Sequence, residues 1–286
     1  MTTGWKRDTI GIAAMRRLGL NRSMRGEKPA PERCDFMQED EKQLSKRLAE
    51  LAGRADAQRR YVYSEFLTLA EQEVLRAVQI VFAAPVSLVG GYDGAERCLA
   101  VFGDDTLCGY TEAPPVARVA IAPTAPKYTE ALTHRDFLGA LLGLGLRRGV
   151  LGDIIVVGNE AYVVCVDAVA DFIVRELCAV RRTAVTCTAV DEIPAQSLKT
   201  PVPSSLNVAS ERLDALIAAV FNLSRTASQA LIDKGCVFLN GRETDKTSVV
   251  PIKGTIVSVR GLGRFIYEGV ERRSKKGRLF VKVRLY

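Results

Sequence analysis

The stretch DEIPAQSLKTPVPSS, residues 191–205, limits how this chain can fold more than any other segment. Each of its three prolines fixes φ and removes a backbone donor, so neither a helix nor a central strand can run through it. The stretch is otherwise mostly polar, with little to bury, and reads as a linker over 196–204. One hydrophobic core therefore cannot extend along all 286 residues, and the chain must build two or three. Charge changes at the same place. Residues 205–286 carry 15 Lys and Arg against 7 Asp and Glu, a net of +8. Residues 1–204 carry 25 against 26, a net of −1. A basic unit attached to a neutral body points to a polyanionic partner, most often nucleic acid.

Three regions precede the linker. Residues 1–35 are rich in Lys and Arg, contain the breaker run KPAPER and have few core-forming side chains. They are expected to be a poorly ordered extension, an upstream tail or a misassigned start rather than an organellar transit peptide. Residues 36–80 show helical periodicity, with Leu44, Leu48 and Leu51 on one face. Thr68 and Glu71 have capping-box spacing ahead of Val74, Leu75 and Val78. Helices this short need a partner surface, so the segment is expected to pack on the region C-terminal to it. Residues 81–195 interleave strand-like runs (PVSLVG, RCLAVFG, VARVAIA, DIIVVG, AYVVCV, TAVTCTAV) with helical patterns at 133–146 and 167–180. Thr133 and Asp136 open the first of those helices, and Gly158-Asn159 marks a hairpin. The pattern predicts an α+β sandwich, one sheet with helices on one face. GLGLRRG does not match a dinucleotide loop and lies inside or after a helix, so Gly139 and Gly143 are read as close-packing residues.

Several chemistries lack their residues. The seven cysteines include no C-x-x-C pair and mostly sit in apolar runs, so reduced thiols acting as small core residues are expected, as in a reducing cytosol. No apolar run approaches the roughly 18 residues of a membrane span. His134 is the only histidine, and neither a G-x-x-x-x-G-K-[ST] loop nor a G-x-S-x-G elbow is present. A non-catalytic, cytoplasmic binding protein with no metal, cofactor or small-molecule substrate is the expectation.

Beyond the linker, SERLDALIAAVFN predicts a helix capped by Ser210, with Leu213, Leu216, Ile217, Val220 and Phe221 as its buried stripe. FNLSRTASQALI then starts a second helix with Ser224 as N-cap and Gly235 as its terminator. Its charge is reversed from the usual order: Arg225 follows the cap, and no acid comes before Asp233. The N-terminal end of a helix carries partial positive charge, so a cation there is unfavourable unless an anion joins it. A phosphate held by the free amides, by Arg225 and by the hydroxyls of Ser224, Thr226 and Ser228 would reverse the sign of that term. CVFLNG predicts a strand and an Asn240-Gly241 turn, IVSVRG another strand, and FIYEGVERR with RLFVKVRLY a hairpin around SKKG. On the last strand, Val281, Val283 and Leu285 alternate with Phe280, Lys282, Arg284 and Tyr286, a pattern that suits phosphate contact and base stacking on one face and equally a solvated outer face with a few exposed rings. Arg272, Arg273, Lys275 and Lys276 crowd the hairpin tip.

RLD in one helix, SR opening the next, then G-x-V-x-x-N-G and VRG resemble the S4-like (αL motif) RNA-binding domain. That domain is shared by a small-subunit ribosomal protein, tyrosyl-tRNA synthetases, pseudouridine synthases and a ribosome-associated heat-shock protein. The resemblance implies RNA contacts at Arg212, Ser224, Arg225, Thr226, Gln229, Lys234, Asn240, Gly241, Arg242 and Arg260. The usual Gly-Asp before the last strand is Gly254-Thr255 here, which leaves the acid's usual turn role open. A wider set, LTHRDFLGALLGLGLRRGVLGDIIV, SEFL near residue 64, GGYDGAER and VRGLGRF with its Arg264, resembles the YlmH family of bacterial S4-domain proteins over residues 36–286. The family implies an N-terminal helical segment, an RRM-like α/β sandwich over 81–195 and an S4-like domain over 205–286. It also implies structured rRNA and tRNA as partners, on the large ribosomal subunit in quality control of stalled peptidyl-tRNA, and a gene often found beside cell-division genes. The middle strands lack the aromatic RNP pattern, so protein docking is the expected role there. Two other functions share these features. One is a pseudouridine-synthase-like enzyme with Asp214 in its RLD triplet, although only 72 residues come after it. The other is a cell-division adaptor.

Overall fold

The computed structural model describes residues 32–126, 129–198, 200–274 and 277–286, with side chains from residue 39. The extension expected over 1–35 falls almost wholly outside these residues, as do Lys275 and Lys276. The chain is a mixed α+β protein with three antiparallel sheets, in two compact units divided at Leu198/Lys199.

The first unit opens with helix α1 (Glu32–Gln58), strand β1 (Val62–Leu67), helix α2 (Leu69–Val78) and strands β2 (Val86–Val89) and β3 (Cys98–Phe102). The strands form a sheet in the order β1-β3-β2. Leu48, Ala52 and Ala55 of α1 and Leu75 of α2 pack against Val62, Leu67, Ala100 and Phe102. Thr68 and Glu71 make both halves of a capping box at the start of α2. Residues 36–80 are thus not helical throughout. VYSEFL is a strand because its β-forming residues pair with β3, whose five residues are all buried.

The same unit continues through a short helix α3 (Asp105–Cys108) to β4 (Val116–Pro123), α4 (His134–Gly143), β5 (Leu151–Val157), β6 (Glu160–Val166), α5 (Asp167–Glu176), β7 (Ala179–Val180) and β8 (Thr183–Val190). The sheet order is β5-β6-β4-β8-β7, so the path from β4 to β8, leaving aside the two-residue edge strand β7, is βαββαβ. Phe137, Leu141 and Ile173 of the two helices meet Val119, Ile121, Val163 and Cys165 on one face. Gly158, with φ 60°, begins the two-residue turn between β5 and β6. Two of the six strand-like runs, PVSLVG and RCLAVFG, belong to the first sheet and not to this one. That first sheet has a second use. Phe66 and Leu99 pack with Val164, Tyr162 and Ile155, covering part of the helix-free face of the second sheet.

The second unit starts with β9 (Val202–Val208), so part of the expected linker is a strand. It is an edge strand, where Pro203 can sit without breaking a central ladder. Helices α6 (Leu213–Val220) and α7 (Arg225–Asp233) come next, at 115° to one another. Strands β10 (Val237–Leu239), β11 (Arg242–Glu243), β12 (Ile256–Val259), β13 (Gly263–Arg273) and β14 (Leu279–Leu285) complete a six-stranded sheet, ordered β11-β10-β12-β13-β14-β9. Leu213, Leu216, Ile217, Leu231 and Ile232 bury one face of that sheet against Val257, Phe265, Val281 and Val283. Ser210 does not cap α6. The helix starts later, with Arg212 at the N-cap position, because the carbonyls of Val249 and Thr247 accept the amides of Leu213 and Asp214 at 2.8 and 3.2 Å. Gly235, at φ 65°, ends α7, and Asn240 and Gly241, at φ 46° and 80°, turn β10 into β11.

Candidate nucleic-acid interface

Ser224 caps α7, its hydroxyl accepting the Ala227 amide at 3.1 Å. Arg225 is next, and its charge does not stand alone. The turn between the helices brings Asp214 to the start of α7, where its Oδ2 accepts from Arg225 Nη2 at 2.8 Å and Gln229 Nε2 at 3.2 Å. Oδ1 accepts from Arg212 Nε at 3.1 Å and the Ala215 amide at 2.9 Å. This corrects the expectation that no acid competes for Arg225: the acid lies eleven residues upstream and is brought in by the fold. The Asp214 side chain is 0% exposed, whereas Arg212 and Arg225 are 40% and 54% exposed. Burial alone would raise the Asp214 pKa, but hydrogen bonds from Arg212, Arg225 and Gln229 bring it below the ordinary aspartate value. A buried, ionised carboxylate thus fixes two guanidiniums whose outer N–H groups face water. Tyr267 of β13 donates to Glu211 beside this cluster.

Not every predicted contact is available. Ser224 and Thr226 are exposed, but Ser228 is buried, its hydroxyl spent on the carbonyls of Asp214 and Arg225 at 2.8 Å each. Gln229 turns inward to Asp214. The Asn240 side chain accepts the Ile256 amide at 2.8 Å and so braces the sheet. Lys234 and Gly241 are exposed, and Arg242 is half-buried on β11.

The remaining candidates lie on the other side of the sheet. Val281 and Val283 face the helices, so alternation sends Phe280, Lys282 and Arg284 to the helix-free face. Arg272 stands 4.0 Å over the Phe280 ring, Arg264 4.2 Å over Tyr286 and Arg260 5.2 Å over Phe238. Arg284 is paired with Glu268 at 2.6 Å. Arg273 is exposed near the hairpin tip. The rings expected to stack on bases therefore already carry the protein's own guanidiniums. The predicted residues divide into two basic surfaces, one around Asp214 on the helix side and one on the helix-free side. Sequence reasoning missed two contributors, Asp214 as the anchor and Phe238 as the platform for Arg260. The RLD triplet, an Arg two residues before an acid, was the available signal for the first.

The cysteines behave as core residues where they are buried: burial pushes the thiols of Cys98 and Cys187 up to about 11 and that of Cys165 to about 12. No single helix among the described residues is long and apolar enough to cross a membrane.

Comparison with known proteins adds three findings. A family model described as "Putative RNA-binding domain in YlmH" matches residues 121–193, the βαββαβ region for which protein docking was expected. The chain is 30% identical over 226 residues to "Ribosome-associated protein quality control protein P2" of Bacillus subtilis (strain 168), across 77% of this chain and 85% of that one. Among solved structures it is similar to "Cell division protein ylmH from Streptococcus pneumoniae", with 16% identity, 58% of this chain and 96% of that chain covered, and a TM-score of 0.43. With most of both chains aligned to the Bacillus subtilis protein at that identity, this chain belongs to the YlmH family.

Proposed function

We propose that this protein is a non-catalytic, cytoplasmic RNA-binding protein that recognises structured rRNA or tRNA on the large ribosomal subunit, in quality control of stalled peptidyl-tRNA. In this reading residues 205–286 form an S4-like domain that does most of the gripping. The βαββαβ region is an RRM-like sandwich. The observation that carries the proposal is the Asp214 cluster, where two half-exposed arginines are held in fixed positions at the start of α7. Pre-oriented guanidiniums lose little freedom on meeting a phosphate. Charge supports the division of labour. Residues 121–193 hold 7 Lys and Arg against 9 Asp and Glu, and part of their helix-free sheet face is covered. The name of the Bacillus subtilis relative supports the ribosomal setting. The burial of Asp214 supports a non-catalytic role, because a base could not reach its carboxylate.

Titrating the purified protein with rRNA and tRNA fragments across a salt series tests this. Arg225→Ala should weaken binding to all of them and flatten the log–log salt slope by about 0.7–0.9, one phosphate contact. An unchanged slope removes Arg225 from the interface. Sedimentation with large subunits after gentle lysis is the expected cellular result, and failure to do so overturns the ribosomal part.

A further inference from the structure

Two sequence stretches play no part in the proposed RNA interface, GGYDGAER and GLGLRRGVLGD, and they meet in the first unit. Arg97 ends one and Arg148 lies in the other. Both line a cavity of ≈ 230 Å³ beside α1 and β1. Arg97 donates from Nε to the Leu151 carbonyl at 3.1 Å and from Nη2 to the carbonyls of Phe66 and Arg148 at 2.7 and 3.4 Å. Arg148 donates from Nη1 to the carbonyls of Leu151 and Gly152 at 2.6 and 3.0 Å. Asp153 is nearby, but it accepts from the Tyr92 hydroxyl and the amides of Glu96 and Arg97.

The two guanidiniums are therefore positioned by carbonyl oxygens, which supply no neutralising charge. Among the described residues no carboxylate forms an ion pair with either. Arg97 Nη1 and Arg148 Nη2 make none of these carbonyl bonds, and neither is sealed from solvent. Burial, with Arg97 as a like charge beside it, pulls Arg148 down to about 10. Asp153, and Glu71 beside Arg97, act on the pair from a distance, but among the described residues no anion is in contact with either guanidinium.

The other liners limit what that anion can be. Leu44, Leu48 and Leu51 of α1 supply an apolar wall. Glu65 and Glu71 also line the cavity, the first paired with Arg47 and Arg147 at 3.4 Å each, the second capping α2. Arg47, Arg97 and Arg148 against these two acids leave one net positive charge, which suits a monoanion and disfavours a polyanion. The volume is below the roughly 300 Å³ where pockets for larger ligands begin.

We propose that this cavity binds a carboxylate bearing a short aliphatic group, with the carboxylate on Arg97 and Arg148 and the aliphatic part against the α1 leucines. A free small acid and the last residue of a peptide share that chemistry.

Calorimetric titration of the full chain with N-acetyl-leucine and with its amide tests it. The acid should bind saturably and the amide about tenfold more weakly or worse, since it cannot form charge-assisted bonds. Arg148→Gln should remove the acid's advantage. Isovalerate binding as tightly as a leucine-ending tetrapeptide would identify the free acid as the source, and tighter tetrapeptide binding would identify a peptide terminus. Equal affinity for acid and amide, no saturable binding of either, or tighter binding of inorganic phosphate than of N-acetyl-leucine overturns the proposal. The acid-against-amide comparison needs only the wild-type protein, so it stands even where Arg148→Gln does not fold.

Discussion

At the scale of single residues, Asp214 decides what two arginines can do. Asp214→Asn keeps the shape but removes the charge that holds Arg212 and Arg225, both half-exposed and hence partly screened. A loss of about 1–3 kcal/mol at neutral pH is expected from denaturant melts. The pH dependence has a definite sign. The Asp214 pKa is depressed in the folded protein, so its contribution is present above the ordinary carboxyl value of 3.8 and lost as pH falls through the folded value. The stability gap between wild type and Asp214→Asn should therefore close below about pH 4, and a gap that stays constant to pH 2 would show that the charge is not what matters. The sequence alone made the Ser224 cap and the reversed charge of Arg225 visible, because both are local. The counter-charge was not, because eleven residues and a 115° change of direction separate it from Arg225.

Among elements, the short hairpin of β10 and β11 depends on its turn. Gly241 at φ 80° occupies a region that a β-branched residue enters only with strain, so Gly241→Val should cost about 1–2 kcal/mol. A melting temperature equal to wild type would contradict that turn geometry. The Asn240-Gly241 and Gly158-Asn159 turns and the α2 capping box were legible because each is written in two to four adjacent residues. VYSEFL was not, since a six-residue strand between two helices is recognisable only through β3, whose first residue lies more than thirty positions later. Pro203 misled in the opposite direction: a proline that forbids a central strand is harmless on an edge.

For the molecule as a whole, the excess basic charge and the covered helix-free sheet face belong to different units. Arg182→Ala in the first unit should leave the salt slope of RNA binding unchanged, while Lys282→Ala on the helix-free face of β14 should reduce it by about 0.7–0.9. Equal reductions would mean that RNA touches both units. Phe66, buried where the two sheets of the first unit meet, offers a complementary test. Phe66→Ala should destabilise that unit by about 3–5 kcal/mol in denaturant melts and leave the slope alone under native conditions. The uneven charge was readable from sequence by counting. The covering of one sheet by another was not, because it depends on side chains from β1 and β3 reaching strands that begin more than a dozen residues later.

The pairs of Arg272 with Phe280 and Arg264 with Tyr286 bear on how such a surface would evolve. Rings roofed by the protein's own cations leave no slot for a base, and what they offer instead is positive charge at set intervals. An RNA meeting that side would be felt through its ribose–phosphate outline. Its bases would be free to drift between lineages, provided that compensating changes kept the outline intact.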